Sequence, residues 1–178
     1  YYYSKEGKFE FNLLLNINQF PASRYSDVKS YTYFDAAKNW IYNQKKFFTK
    51  EKLFFLKTHN SLQEYLGYRF TKSSETLGAI YIVRDPRNVI TSMCNHYSMS
   101  LNEMYSKMVD ENASLSIKDS DGDLSNFSFL GSWSNHYKSW KNNFEFKTLF
   151  IKYEDLEENA YEEFWKILTF IEELTGKN

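Results

Sequence analysis

The chain has 178 residues, a formal net charge of -1, 42% hydrophobic and 25% charged residues, and one cysteine. This is enough length for one domain with a sizeable core, and the composition excludes a disordered chain. The balanced charge argues against a nucleic-acid or anionic-membrane partner. Cys94 alone excludes an intrachain disulfide or cysteine zinc cluster, and no apolar run reaches the roughly 18 to 20 residues of a membrane span.

A single thiol fits a reducing compartment, and a cytoplasmic location is expected. The chain opens Tyr1-Tyr2-Tyr3 without a methionine, so its natural start is expected upstream. Aromatic residues make up 20% of the chain. The plainer reading is a core built from rings, and the sharper one an aromatic binding pocket.

In chain order, Ala36, Ala37, Trp40 and Ile41 predict an amphipathic helix. The apolar run Leu53–Leu56 predicts a buried strand over 53–58, and Ser61 with Glu64 reads as a capping box opening a helix. Ala79–Val83 predicts a second strand, over 79–84. Asp85-Pro86 then gives an N-cap with proline in the first helical position. Residues 110–128 form a long polar stretch, read as a solvated loop and a lid candidate. Its Asp119-Ser-Asp-Gly-Asp123 imitates the opening of a calcium loop, but the glycine comes too early and no correctly spaced Glu follows. Thr148–Ile151 predicts a third strand, over 148–153. Asn159 with Glu162 opens a helix whose stripe is Ala160, Phe164, Ile167, Leu168, Ile171 and Leu174. Strands followed by helices predict an α/β domain with a parallel sheet.

Three segments carry candidate chemistry. Arg84 ends a strand just before a proline-started helix, where free N–H groups and the dipole favour anions. Its guanidinium offers a bidentate grip on phosphate, and Ser92, two turns on, adds a hydroxyl. The competing reading is a surface ion pair of Arg84 or Arg87 with Asp85. Lys57 and His59, two apart at a strand end, share a face; the imidazole can take a proton from a hydroxyl, or serve only structurally. Tyr153 sits at the end of the third strand. Glu154 and Asp155, being adjacent, point apart and make a poor acid/base pair.

Lys57-Thr58-His59, then Tyr81-Ile-Val-Arg84-Asp-Pro-Arg-Asn-Val-Ile-Thr-Ser92, then Gly131-Ser132-Trp133 with His136, then Tyr153-Glu154-Asp155 resemble, in order, the sulfotransferases that use 3′-phosphoadenosine 5′-phosphosulfate (PAPS), of the cytosolic or bacterial type. The resemblance covers residues of about 50 to 175. It implies a three-layer α/β sandwich with a P-loop-NTPase-like parallel sheet. It also implies sulfuryl transfer from PAPS to a hydroxyl or amine of a small-molecule or glycan acceptor, with PAP (the 3′,5′-bisphosphate) leaving and no metal required. Arg84 and Ser92 would bind the 3′-phosphate, Tyr153 would line the nucleotide site, His59 would be the general base, and Lys57 would assist at the sulfuryl group. Trp133 and His136 are read as scaffold. The Pro-Lys-Ser-Gly-Thr-Thr loop of the family is absent and expected upstream, and the Arg-Lys-Gly element is expected after Asn178, so the chain reads as part of the domain. Asn60-Ser61 stand where the family often has Leu-Pro, and Asn88 where aspartate is frequent. A P-loop kinase-like enzyme and an inactive PAP-binding module remain the alternatives.

Overall fold

Helix-opening side chains set the framework in the computed structural model, which describes residues 18–48, 52–117 and 120–176. Thr32 caps helix α1 (Tyr33–Phe47), its hydroxyl accepting from the Asp35 N–H, and α1 buries Ala36, Ala37 and Trp40 as its sequence stripe predicts. Strand β1 (Gly78–Val83) leads directly into α2 (Pro86–Tyr97), which is opened by Asp85 accepting from the Arg87 N–H, with proline in the first turn. Helix α3 (Leu101–Val109) starts on a full capping box between Ser100 and Glu103. A short antiparallel pair, β2 (Ser114–Leu115) and β3 (Ser128–Phe129), precedes α4 (Trp133–Lys141), capped by Ser132. Strand β4 (Lys147–Lys152) runs into α5 (Tyr153–Glu158) and α6 (Ala160–Thr175).

β1 and β4 are parallel and paired in register from Gly78↔Lys147 to Val83↔Lys152. The alternation of a strand gives the pair two faces. Ala79 and Tyr81 of β1 and Phe150 of β4 pack against the aromatic core on the α4 side. On the other face, a Cβ on Gly78 would come within 2.4 Å of Leu174 Cδ1, so the Leu174 side chain of α6 packs directly onto β1 at this glycine. The protein is therefore mixed α/β with a small parallel sheet and a helix against each face.

The core is built from rings, in line with the plainer reading of the composition. Phe20, Trp40, Phe70, Phe127, Phe129 and Trp140 are buried together. Trp40 and Phe127 stack at 5.8 Å and 3°, and the Trp40 Nε1–H donates to the Phe127 carbonyl at 3.3 Å. Each such ring removes enough apolar surface to contribute about 1.5–3 kcal/mol.

Three expectations need correction. Residues 53–58 do not form a strand of this sheet. Leu53, Phe54 and Phe55 are exposed, and the segment makes one parallel bridge, Gln19↔Lys57, through Lys57 N–H to the Asn18 carbonyl and Phe20 N–H to the Lys57 carbonyl. The pairing does not continue beyond this one bridge. No helix opens at Ser61. The residue is buried, its N–H donates to the Phe129 carbonyl, and the chain turns through Tyr65–Tyr68 instead. Asn159 precedes α6 as predicted, but its side chain makes no cap hydrogen bond.

The 110–128 stretch is solvated only in part. Glu111, Asn112, Ile117 and Asp121 are exposed, whereas Asp123, Leu124, Ser125, Phe127 and Ser128 are buried. Asp123 Oδ1 accepts from the N–H groups of Ser30 and Ser125, which fastens the loop's second half to the segment before α1. Asp119, and with it the calcium-like opening, lies outside the described residues. Among the described residues, no helix is long and apolar enough to cross a membrane.

Candidate functional site

The register of β1 and β4 carries one step past its last pair, Val83↔Lys152, to place Arg84 beside Tyr153. The Arg84 guanidinium carbon lies 4.5 Å from the centroid of the Tyr153 ring, a cation–π contact. Arg84 Nε is buried and has no hydrogen-bond partner among the described residues. A buried donor without an acceptor costs about 1–3 kcal/mol, so this group is chemically matched to an incoming anion.

Arg87 behaves differently from Arg84. It is exposed and pairs with Asp85 through Nε and Nη2, and Arg87 holds the Asp85 carboxyl down at about 2. The surface-pair reading thus applies to Arg87, while Arg84 makes no such pair. Asp85 also occupies a donor at the start of α2 with its own charge, so the anion-directed group at this strand end is the Arg84 side chain more than the helix N-terminus. Glu154 ties the two strand ends together, its Oε1 accepting from the Asp85 N–H at 3.2 Å. Ser92 lies on the exposed surface of α2, seven residues on from Asp85 and four from Asn88, hence on their face of the helix. The structure puts no contact between Ser92 and Arg84 among the described residues.

His59 follows the extended 53–58 segment and is half-buried. Burial, and then the positive charge of Lys57, hold its imidazole below the ordinary histidine range. It is therefore a neutral base near pH 7. The main chain around it is pinned from several sides. Asn60 Oδ1 accepts from the Phe129 N–H, the Trp140 Nε1–H donates to the Asn60 carbonyl at 3.0 Å, and the Leu62 N–H donates to Ser139 Oγ. His136 Nε2 is 3.1 Å from the His59 carbonyl, and His136 Nδ1 is 2.9 Å from the Tyr81 hydroxyl. His136, expected as scaffold, and Tyr81 carry no local sequence signal for these bonds, because the bonded residues are 55 and 77 positions apart. Trp133 stacks on Tyr137 at 5.9 Å, and His96 is exposed in the last turn of α2.

Arg84 and Tyr153 are thus in contact, and Lys57 is close enough to His59 to act on its proton. His59 is linked to β1 by way of His136 and Tyr81 rather than by strand pairing. Among the described residues, no group of three His, Cys, Asp or Glu is placed to hold a metal ion. A shallow surface depression lined by Gln63, Asn135, Lys138, Ser139 and Asn142 includes none of these residues.

Comparison with curated proteins returned no match. A family model described as a sulfotransferase domain matches residues 11–176. That span takes in β1, α2, β4 and each candidate side chain, and the chain belongs to the sulfotransferase family, whose general chemistry is sulfuryl transfer.

Proposed function

We propose that the protein transfers a sulfuryl group from PAPS to a hydroxyl or amine acceptor. The observation that carries this reading is Arg84, a half-buried side chain whose guanidinium lies on the Tyr153 ring and whose buried Nε has no partner among the described residues, at the end of a parallel strand. Such a group fits the 3′-phosphate of the nucleotide, with Ser92 as a second donor and Tyr153 fixing the plane of the guanidinium. PAPS, when bound, supplies the sulfuryl group and leaves as PAP.

The chain's own residues then have the following parts. Arg84 binds and orients. His59, neutral because burial and Lys57 disfavour its charged form, takes the acceptor proton on its imidazole. The Lys57 ammonium, exposed two residues earlier, offsets negative charge developing around the transferred group. Positioning and charge stabilisation are what such a transfer asks of a protein. In this reading the fold is the three-layer, P-loop-like sandwich, and the helices on both faces of the β1–β4 pair support it. Within the 110–128 stretch, the largely exposed residues 110–117 are the lid candidate in this reading. The acceptor is a small molecule or glycan, and the setting is the reducing cytoplasm.

The test is calorimetric binding of PAP against ADP, with and without magnesium, followed by transfer of labelled sulfate from PAPS to hydroxyl and amine acceptors. Binding of PAP with turnover supports the proposal. Magnesium-dependent binding of ADP in place of PAP points to a kinase-like enzyme, and PAP binding with no transfer to any acceptor points to an inactive binding module.

A further inference from the structure

A backbone carbonyl only accepts hydrogen bonds, so the nitrogen of His136 that faces the His59 carbonyl at 3.1 Å, Nε2, must carry the proton. In the neutral ring Nδ1 is then a bare acceptor, and the Tyr81 hydroxyl, 2.9 Å away, donates to it. The tautomer of His136 is thereby fixed from both sides. The ring is closed in by aromatic neighbours, with Tyr81 at 5.7 Å between centroids and Tyr81 in turn against Trp140 and Phe150.

We infer that His136 is a positioning residue, which with Tyr81 forms a two-bond bridge from strand β1 to the main chain of His59. This rests on His59 being the base, as proposed above. Tyr81 lies in β1 three residues before Arg84, which directly follows the strand, and His59 stands on a segment that has no pairing with that strand. The bridge accordingly sets the distance between the nucleotide-directed cation and the base, a distance that backbone pairing leaves free. An in-line transfer depends on that separation, since small displacements of a catalytic group lose much of the rate. The pattern also explains why this position takes histidine. A ring with an acceptor on one side and a donor on the other reaches a hydroxyl and a carbonyl at once, and neither Phe nor Lys does both.

Histidine-labelled NMR of the full-length protein reads both imidazoles without any acceptor. In the wild type, His136 shows the Nε2–H tautomer and His59 titrates below the free-imidazole value of about 6.5. Tyr81→Phe removes the donor to Nδ1 and should move the His136 Nδ1 signal to that of a ring nitrogen accepting no hydrogen bond, while the His59 carbonyl keeps the proton on Nε2. His136→Phe keeps the ring's volume but loses both bonds. It should move the His59 midpoint up towards the free value, while His136→Gln, whose amide still donates towards the His59 carbonyl, should restore it. Tyr81→Phe also covers the case in which His136→Phe does not fold. A His136 Nδ1 signal unchanged by Tyr81→Phe, or a His59 titration that His136→Phe and His136→Gln alter alike, overturns the bridge and leaves the nucleotide reading standing. Wild-type protein that fails to bind PAP overturns the nucleotide reading and leaves the bridge standing.

Discussion

Replacing Arg84 by Met separates affinity from stability, because the structure assigns opposite signs to the two. Arg84 Nε is buried without an acceptor among the described residues, at a cost of about 1–3 kcal/mol to the folded chain. The guanidinium over the Tyr153 ring returns about 0.5–2 kcal/mol. Methionine removes the unmatched donor, keeps most of the stem's volume, and retains a favourable sulfur–ring contact. The melting temperature of the nucleotide-free protein should therefore stay within a few degrees of wild type or rise. The affinity for PAP should fall by about 1.5–3 kcal/mol, the scale of hydrogen bonds to a charged group. At 1.4 kcal/mol per tenfold, that is a loss of about 10- to 150-fold. Calorimetric titration with PAP gives the first quantity and scanning calorimetry the second. PAP affinity within twofold of wild type refutes the site. A drop in melting temperature as large as that of a core cavity refutes the claim that the donor is unmatched.

Four further outcomes follow from the same geometry. His59→Ala should lower kcat for sulfuryl transfer by about 10² to 10⁴-fold with PAP affinity nearly unchanged, and near wild-type turnover would remove His59 from the mechanism. Burial depresses both His59 and His136, with Lys57 adding to the first. The native state therefore binds fewer protons than the unfolded chain below pH about 6.5, so this share of stability is present above that pH and lost as pH falls through the native values. Scanning calorimetry should show a melting temperature that declines on acidification from pH 6.5; one that rises contradicts the assignment. Phe127→Ala, which empties the space between Trp40 and Tyr65, should cost about 3–5 kcal/mol in urea denaturation, and a loss below 1 would mean that the core collapses around the gap. Gly131 has φ +64°, and a Cβ there would lie 2.5 Å from Gln63 Nε2, so Gly131→Ala should destabilise by about 1 kcal/mol or more, read as a shifted urea midpoint.

Elements whose determinants are local are legible in the sequence. Asp85-Pro86 announced the start of α2 because an N-cap needs only its own next residues, and the stripe from Ala160 to Leu174 announced α6 because amphipathicity has a fixed period. Arg84 and Tyr153 could each be placed at a strand end, and the parallel register makes the two ends one place. What failed depends on partners. Leu53–Leu56 has a strand's composition, yet whether an apolar run becomes a strand is decided by what stands beside it. Here that neighbour is the short segment around Gln19. Ser61 and Glu64 have capping-box spacing, but the Ser61 N–H is engaged by Phe129 and the Leu62 N–H by Ser139. Polar composition concealed Asp123, whose carboxylate is buried because two backbone N–H groups are aimed at it. His136 was unreadable for the same reason, since nothing within helical reach of it identifies either bonding partner.

The in-register pairing of six residues in β1 with six in β4 works like a ruler laid between two distant stretches of chain. Both rows run out at the same notch, Val83 against Lys152, and the next mark on each side is the cation and its ring. An extra residue anywhere within either row would slide Arg84 off Tyr153 by a full step, about 3.3 Å, and turn alternate side chains to the wrong face. The loops that join the helices between the two rows are under no such gauge, unlike α2, which carries Ser92, and α4, which carries His136. Insertions and deletions among descendants of this chain should therefore collect in those loops, and the two rows themselves should keep their length.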